Sequence, residues 1–157
     1  MPFSEYFAHV WSDTTAVLTG SAGSGVEGTL DDLLLLAREL REPTRLARET
    51  LDEAVSVQFP GLVGVLPGFG RQEPNDWGLG FELRDAKSPH WTGSLNSPGT
   101  YGHFGSKPGT ATFLWIDRER QLVCAALADI SFGAWAVAAW PALADAVLSE
   151  GTRAATR

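Results

Sequence analysis

Two apolar segments joined by a short charged turn constrain this chain most. Thr110-Ala111-Thr112-Phe113-Leu114-Trp115-Ile116 is β-branched and aromatic nearly throughout, the composition that suits a pleated, half-buried strand. Asp117-Arg118-Glu119-Arg120 turns it, and Leu122 to Leu127 returns as a continuous apolar run. A hairpin whose second strand is apolar on both faces belongs inside a sheet covered by helices. The rest of the chain must therefore supply helices to cover it.

It does so on both sides of the hairpin in sequence. Thr29-Leu30-Asp31-Asp32 has the form of a capping box, with Asp in place of the longer Glu. Behind it Leu30, Leu33, Leu34, Ala37 and Leu40 recur at helical spacing, which predicts a helix ended by Pro43. Thr44 is placed to cap a second helix, whose apolar stripe is Leu46, Ala47, Leu51, Ala54 and Val55. A shorter helix is expected near Phe3 to Val10, before the Gly/Ser-rich loop Gly20–Gly28. From Phe59 to Asp76 glycine and proline predict irregular structure. Trp77 to Leu83 alternates large apolar with small or polar residues, a strand signal weakened by Gly78 and Gly80. A loop from Arg84 to Tyr101 follows, and the chain closes with an Ala-rich helix from about Ala134 to Glu150, in which Pro141 either makes a kink or opens a second part. Helices first, then three strands, then one helix predict an α+β fold, here as a single domain over residues 1–157.

Composition narrows the partners. A net charge of −7 with two lysines, Lys87 and Lys107, is a poor match to a phosphate backbone or an anionic membrane surface, so neither nucleic acid nor membrane is expected as a partner. The Arg and Glu residues of 38–53 read as a solvated helix face with i,i+4 pairs. One cysteine, Cys124, excludes an internal disulfide and a Cys-based metal cluster, and its apolar surroundings predict an inert buried thiol. His9, His90 and His103 show no zinc-ligand spacing, so no metal is expected. Gly78-Leu79-Gly80 lacks the third glycine and following helix of a dinucleotide loop, and no cofactor is implied. No apolar stretch is long enough for a membrane span and no basic-then-apolar leader is visible, from which a cytoplasmic location is expected.

Four segments in order carry a resemblance. Gly28-Thr29-Leu30-Asp31-Asp32-Leu33, then Pro74-Asn75-Asp76-Trp77-Gly78-Leu79-Gly80-Phe81, then Tyr101-Gly102-His103-Phe104-Gly105 leading into the hairpin, then Ser131-Phe132-Gly133-Ala134-Trp135 resemble the later part of β-lactamase-related serine hydrolases. The likeness runs from about residue 3 to residue 149 and is nearest the subgroup with His-x-Gly where penicillin-binding proteins have Lys-Thr-Gly or Lys-Ser-Gly. The resemblance implies a partial β-lactamase-like domain, an antiparallel sheet with helices before it and one helix packed on it after. It also implies roles. His103 would orient substrate or help move a proton, and the backbone N–H of Ser106 would be an oxyanion donor, acting on charge that develops in the tetrahedral transition state. Tyr101, Phe104 and Gly105 would line the substrate side of the cleft, with Trp91 as a pocket wall. Ser106-Lys107-Pro108-Gly109 is longer than the family's usual link, so the register near Ser106 stands as an open point.

The family reaction needs a serine with a lysine three residues later, so that the amine reaches the hydroxyl proton on one helix face. The positions three before Lys87 and Lys107 hold Arg84 and Phe104, and the Ser-x-x-Lys motif is absent from these 157 residues. Ser94-Leu95-Asn96 has the letters of the second family motif but lies in the loop just before His103, where local turn hydrogen bonds are the simpler reading. The expectation is a hydrolase fragment inactive alone, taking a small ester, amide or β-lactam substrate if completed, with His-x-Gly leaning toward esterase. A non-catalytic binding remnant of the same fold is the alternative. An incomplete sheet exposes an edge and an apolar patch, which predicts self-association or an N-terminal half-domain partner.

Overall fold

In the computed structural model the described residues are 28–155. The expected helix near Phe3 to Val10 lies outside them, as does most of the Gly20–Gly28 loop. Helix α1 spans Leu30–Arg41, and its capping box forms: the Thr29 side chain accepts from the Asp32 amide, and the Asp32 carboxylate accepts from the Thr29 amide at 2.8 Å. Helix α2 spans Arg48–Ala54. Thr44 does not cap it, because its hydroxyl and amide both donate to Glu39 at 2.8 Å. Glu39 also accepts from the amides of Arg45 and Leu46, and these donors hold its carboxyl down at about 2. One acidic side chain on α1 thus organises the whole connection to α2.

The stretch expected to be irregular contains a small hairpin, β1 (Gly64–Leu66) and β2 (Gly70–Gln72). Next comes β3, shortened to Glu82–Leu83. The strand expected from Trp77 turns back on itself: Gly78 N–H bonds the Phe81 carbonyl at 2.9 Å, and Trp77 bridges Glu82. Gly78 is needed there because a Cβ would lie 2.1 Å from the Ala54 carbonyl oxygen at the end of α2.

The expected hairpin forms as β5 (Thr110–Asp117) and β6 (Leu122–Ala128). A further strand, β4 (Tyr101–Lys107), whose pattern Gly102 and Gly105 dilute, pairs with β5 along its whole length. The sheet is antiparallel in the order β3-β4-β5-β6, one strand more than the three expected. Helix α3 runs from Ala134 to Ala155 straight through Pro141.

Alternation along the strands sorts two cores onto opposite faces. On one, Phe104, Ala111, Phe113 and Trp115 meet Ala136, Trp140, Ala144 and Leu148 of α3. On the other, Leu83, Tyr101 and Ile116 meet Leu40 of α1 and Leu51 of α2. Helices therefore cover the hairpin on both faces, but its apolar second strand, expected inside the sheet, is the edge strand β6 and only partly buried. The Arg-rich helical segment does more than face water: Asp52 pairs with Arg48 at 3.6 Å and with Arg118 of the β5–β6 turn at 2.7 Å. No helix among the described residues is long and apolar enough to cross a membrane.

Candidate active-site edge on strand β4

Strand β4 leaves the turn Pro108-Gly109 in unbroken register with β5, from Lys107 opposite Thr110 to Tyr101 opposite Ile116. Pro108 sits in the turn and takes nothing from the ladder. Pairs flanking a two-residue loop are hydrogen-bonded, and bonded and non-bonded pairs alternate along an antiparallel ladder. Ser106, opposite Ala111, therefore belongs to a non-bonded pair, and its N–H points away from β5. On that outer side β3 pairs with Tyr101 and Gly102 and goes no further. Beyond Gly102 the edge of β4 is uncovered among the described residues.

His103 lies on the exposed part of this edge, on the α1 face of the sheet. Its ring meets Trp77 edge-on at 5.2 Å. Desolvation on the packed side holds the imidazole below its usual pKa, with the Glu82 charge opposing that shift. Gly105, two residues on, is exposed and leaves the edge open. Gly102 is fixed by contact instead: a Cβ there would lie 2.1 Å from the Leu114 carbonyl oxygen.

The other residues expected at the cleft are elsewhere. Trp91 is 1% exposed and packs among Phe104 and Phe113, its indole N–H donating to Glu82 at 3.0 Å, so it is core and not a pocket wall. Tyr101 is buried with its hydroxyl donating to the Leu40 carbonyl at 2.6 Å and Arg118 over its ring, which makes it a tie between sheet and α1. Phe104 points into the α3 face, stacked on Phe132 at 5.1 Å. The Ser106 hydroxyl also faces that side, donating to the Thr110 carbonyl and accepting from the Phe132 amide at 2.9 Å. The side chain is thus engaged in structure while the backbone N–H faces outward. Asn96 donates to Thr100, the local bonding expected of that loop, but Ser94 departs from it: its amide and hydroxyl both donate to Asp145 of α3, a distant anchor. Burial pushes the Cys124 thiol up to about 11, which leaves it protonated and inert.

Sequence reading missed a buried polar cluster beside this edge. Thr92 N–H donates to His90 Nδ1 at 3.2 Å, so the other ring nitrogen, Nε2, carries the proton and donates to Glu82 Oε1 at 2.8 Å. The Thr92 hydroxyl lies 2.8 Å from the same Nδ1. Carboxylate, imidazole and hydroxyl thus line up as in a hydrolytic triad. Glu82 and Thr92 are each 1% exposed, however, and His90 4%, so no substrate reaches them. Lys87 closes the cluster, donating to the Asp76 carbonyl at 2.9 Å and to the Leu83 carbonyl. Glu82 flanked by Phe81 and Leu83 was the available signal: an acid in an apolar strand needs a buried partner.

Burial holds His90 below its ordinary value of 6.5, against the pull of Glu82. The folded state therefore binds this proton less readily than the unfolded chain, and so does His103. Stability from both is complete above about 6.5 and is lost progressively as pH falls below it. Urea midpoints at pH 7.5 and 5.5 check this, with the lower midpoint expected in acid. His90→Gln should flatten the dependence.

The beta-lactamase family model matches residues 3–148. The crystal structure of a beta-lactamase from Mycobacterium bovis is similar at 50% identity and a TM-score of 0.74, over 80% of this chain and 45% of that one. The chain thus spans less than half the length of that protein. No curated protein matches it. The ordered motifs, the sheet with helices on both faces and the family match agree: this chain belongs to the beta-lactamase family.

Proposed function

We propose that this chain is the sheet-bearing part of a serine hydrolase that cleaves small esters, amides or β-lactams by acyl transfer. The observation that carries the reading is the open edge of β4, where the outward N–H of Ser106 lies three residues from His103. A backbone donor fixed in a sheet stabilises a developing oxyanion without reorganising. His103, neutral at physiological pH, is suited to orient substrate or to accept a proton as a general base from the attacking hydroxyl or water. The nucleophile and its lysine come from residues outside this chain, since no Ser-x-x-Lys occurs in it. That absence equally favours a second reading, a non-catalytic binding remnant of the fold.

Strand β6 supports a partner for either reading. Leu122–Ala128 contains no charge and no proline, the devices that usually protect a sheet edge, and its outer side is unpaired among the described residues. The chain therefore self-associates or takes up an N-terminal half-domain at this edge. A monodisperse, cooperatively unfolding monomer at all concentrations would contradict that.

A fluorophosphonate probe, a p-nitrophenyl ester and a chromogenic cephalosporin test the function. The chain alone should neither label nor hydrolyse. Co-expression with the in-frame translation upstream of Met1, if it encodes Ser-x-x-Lys, should confer labelling, and the remnant reading predicts none. Labelling of this chain alone would overturn the incomplete-enzyme reading.

A further inference from the structure

We propose that Trp77 is a positioning residue for His103: an aromatic buttress that holds the imidazole in one orientation on the open edge of β4 and leaves both ring nitrogens to substrate. The inference deepens the reading of the β4 edge and rests on His103 being part of that site. Three observations converge on Trp77. The two rings are in direct contact, with centroids 5.2 Å apart and planes at 77°. Among the described residues no hydrogen bond takes up either nitrogen of His103, and its other ring neighbour, at 6.0 Å, is Phe104, whose own ring packs against the α3 core. Trp77 itself is fixed through its backbone. Its carbonyl accepts the Gln58 N–H at 2.9 Å, and the residue bridges Glu82. The next two residues are pinned to the end of α2, Gly78 by close approach to the Ala54 carbonyl oxygen and Leu79 by an N–H bond to it at 2.8 Å.

An imidazole that works on substrate must present the same nitrogen at every encounter. In a hydrolytic triad a carboxylate secures this by accepting a bond from the other nitrogen, which also favours the charged ring. An indole packed edge-on restricts the ring without occupying a nitrogen and, being apolar, favours the neutral form. His103 shows that sense: desolvation is the larger influence and lowers its pKa, and the Glu82 charge opposes it. A neutral ring, held by packing, with both nitrogens open is what a general base on this edge requires.

Proton NMR of the full chain reads the ring directly, because the sequence has three histidines and His103→Gln assigns the signals of this one. In the wild type, cross-relaxation should join indole and imidazole protons, and the Hα–Hβ couplings of His103 should be those of a single rotamer. Trp77→Leu keeps apolar bulk without a ring. His103 should then average its rotamers, lose the ring-current displacement of C2–H, and titrate about 0.3 pH unit higher, a twofold gain in proton affinity. Trp77→Phe keeps a ring and should restore at least half of each change. Phe81→Leu alters the same turn, but its ring packs on Tyr101, so His103 should stay near wild type. Averaged couplings or missing indole cross-peaks in the wild type overturn the proposal. So does an unmoved His103 in Trp77→Leu, or an equal change in Trp77→Phe or Phe81→Leu, which would reduce Trp77 to packing. Should Trp77→Leu fail to fold, the wild-type couplings and cross-peaks decide by themselves. The readout needs no turnover: a free ring sinks this proposal and leaves the edge reading intact, whereas a held ring in a completed chain that never labels sinks the edge reading instead.

Discussion

Trp140→Ala should lower the free energy of unfolding by about 3–5 kcal/mol, the range for removing a large aromatic side chain from a packed core. Trp140 is 3% exposed and stands at the centre of the α3 face. Its ring lies 5.1 Å from Phe113, 5.2 Å from Phe132, 5.6 Å from Phe104 and 5.9 Å from Trp135. Those neighbours come from β4, β5, the segment before α3 and α3 itself, so none can swing in to fill the void without leaving another contact. Urea denaturation followed by near-ultraviolet circular dichroism measures both the loss and the loosening of the aromatic cluster. A change under about 1 kcal/mol would mean that α3 does not seal the sheet as described.

Glu82→Leu should cost about 2–5 kcal/mol although it makes the strand more hydrophobic. The substitution strands two donors, His90 Nε2–H and Trp91 Nε1–H, in a site closed to water. Each buried donor left without a partner costs its full desolvation penalty, which exceeds what a leucine gains by burial. A double variant, Glu82→Leu with His90→Leu, should recover part of the loss because it removes one stranded donor along with its acceptor. The denaturant midpoints of the single and double variants measure that recovery. A double variant less stable than Glu82→Leu would contradict it.

Local patterns carried much of the fold. The β5–β6 hairpin, the capping box at Thr29 and the terminal helix were legible because each depends on residues adjacent in sequence. Strand β4 was harder to see. Gly102 and Gly105 dilute its strand signal, yet Gly102 is there because β5 comes too close for any side chain. That is a tertiary fact with no local trace. Thr44 misled for a different reason: a capping hydroxyl accepts a backbone N–H, whereas this one donates to Glu39, five residues back at the end of α1, and α2 starts only after Ala47.

At the site, the motif letters located the segment and the register gave it meaning. His103 and the Ser106 amide come to an open edge. Tyr101 shares the face of His103 but is covered by β3 and α1, Phe104 points to the opposite α3 face, and Trp91 enters that core from the loop. The Glu82–His90–Thr92 cluster joins residues eight and two apart across a strand and a loop, a relation that no helical or strand period reveals.

The loop between β3 and β4 has no regular secondary structure near Ser94, yet Asp145 on α3 accepts the amides of Ser94 at 2.8 Å and Leu95 at 2.9 Å together with the Ser94 hydroxyl. One helix carboxylate thus does for this loop what a neighbouring strand would do. Its amide protons should exchange with deuterated solvent on the timescale of helix α3 opening, so that loop and helix report a single unfolding event.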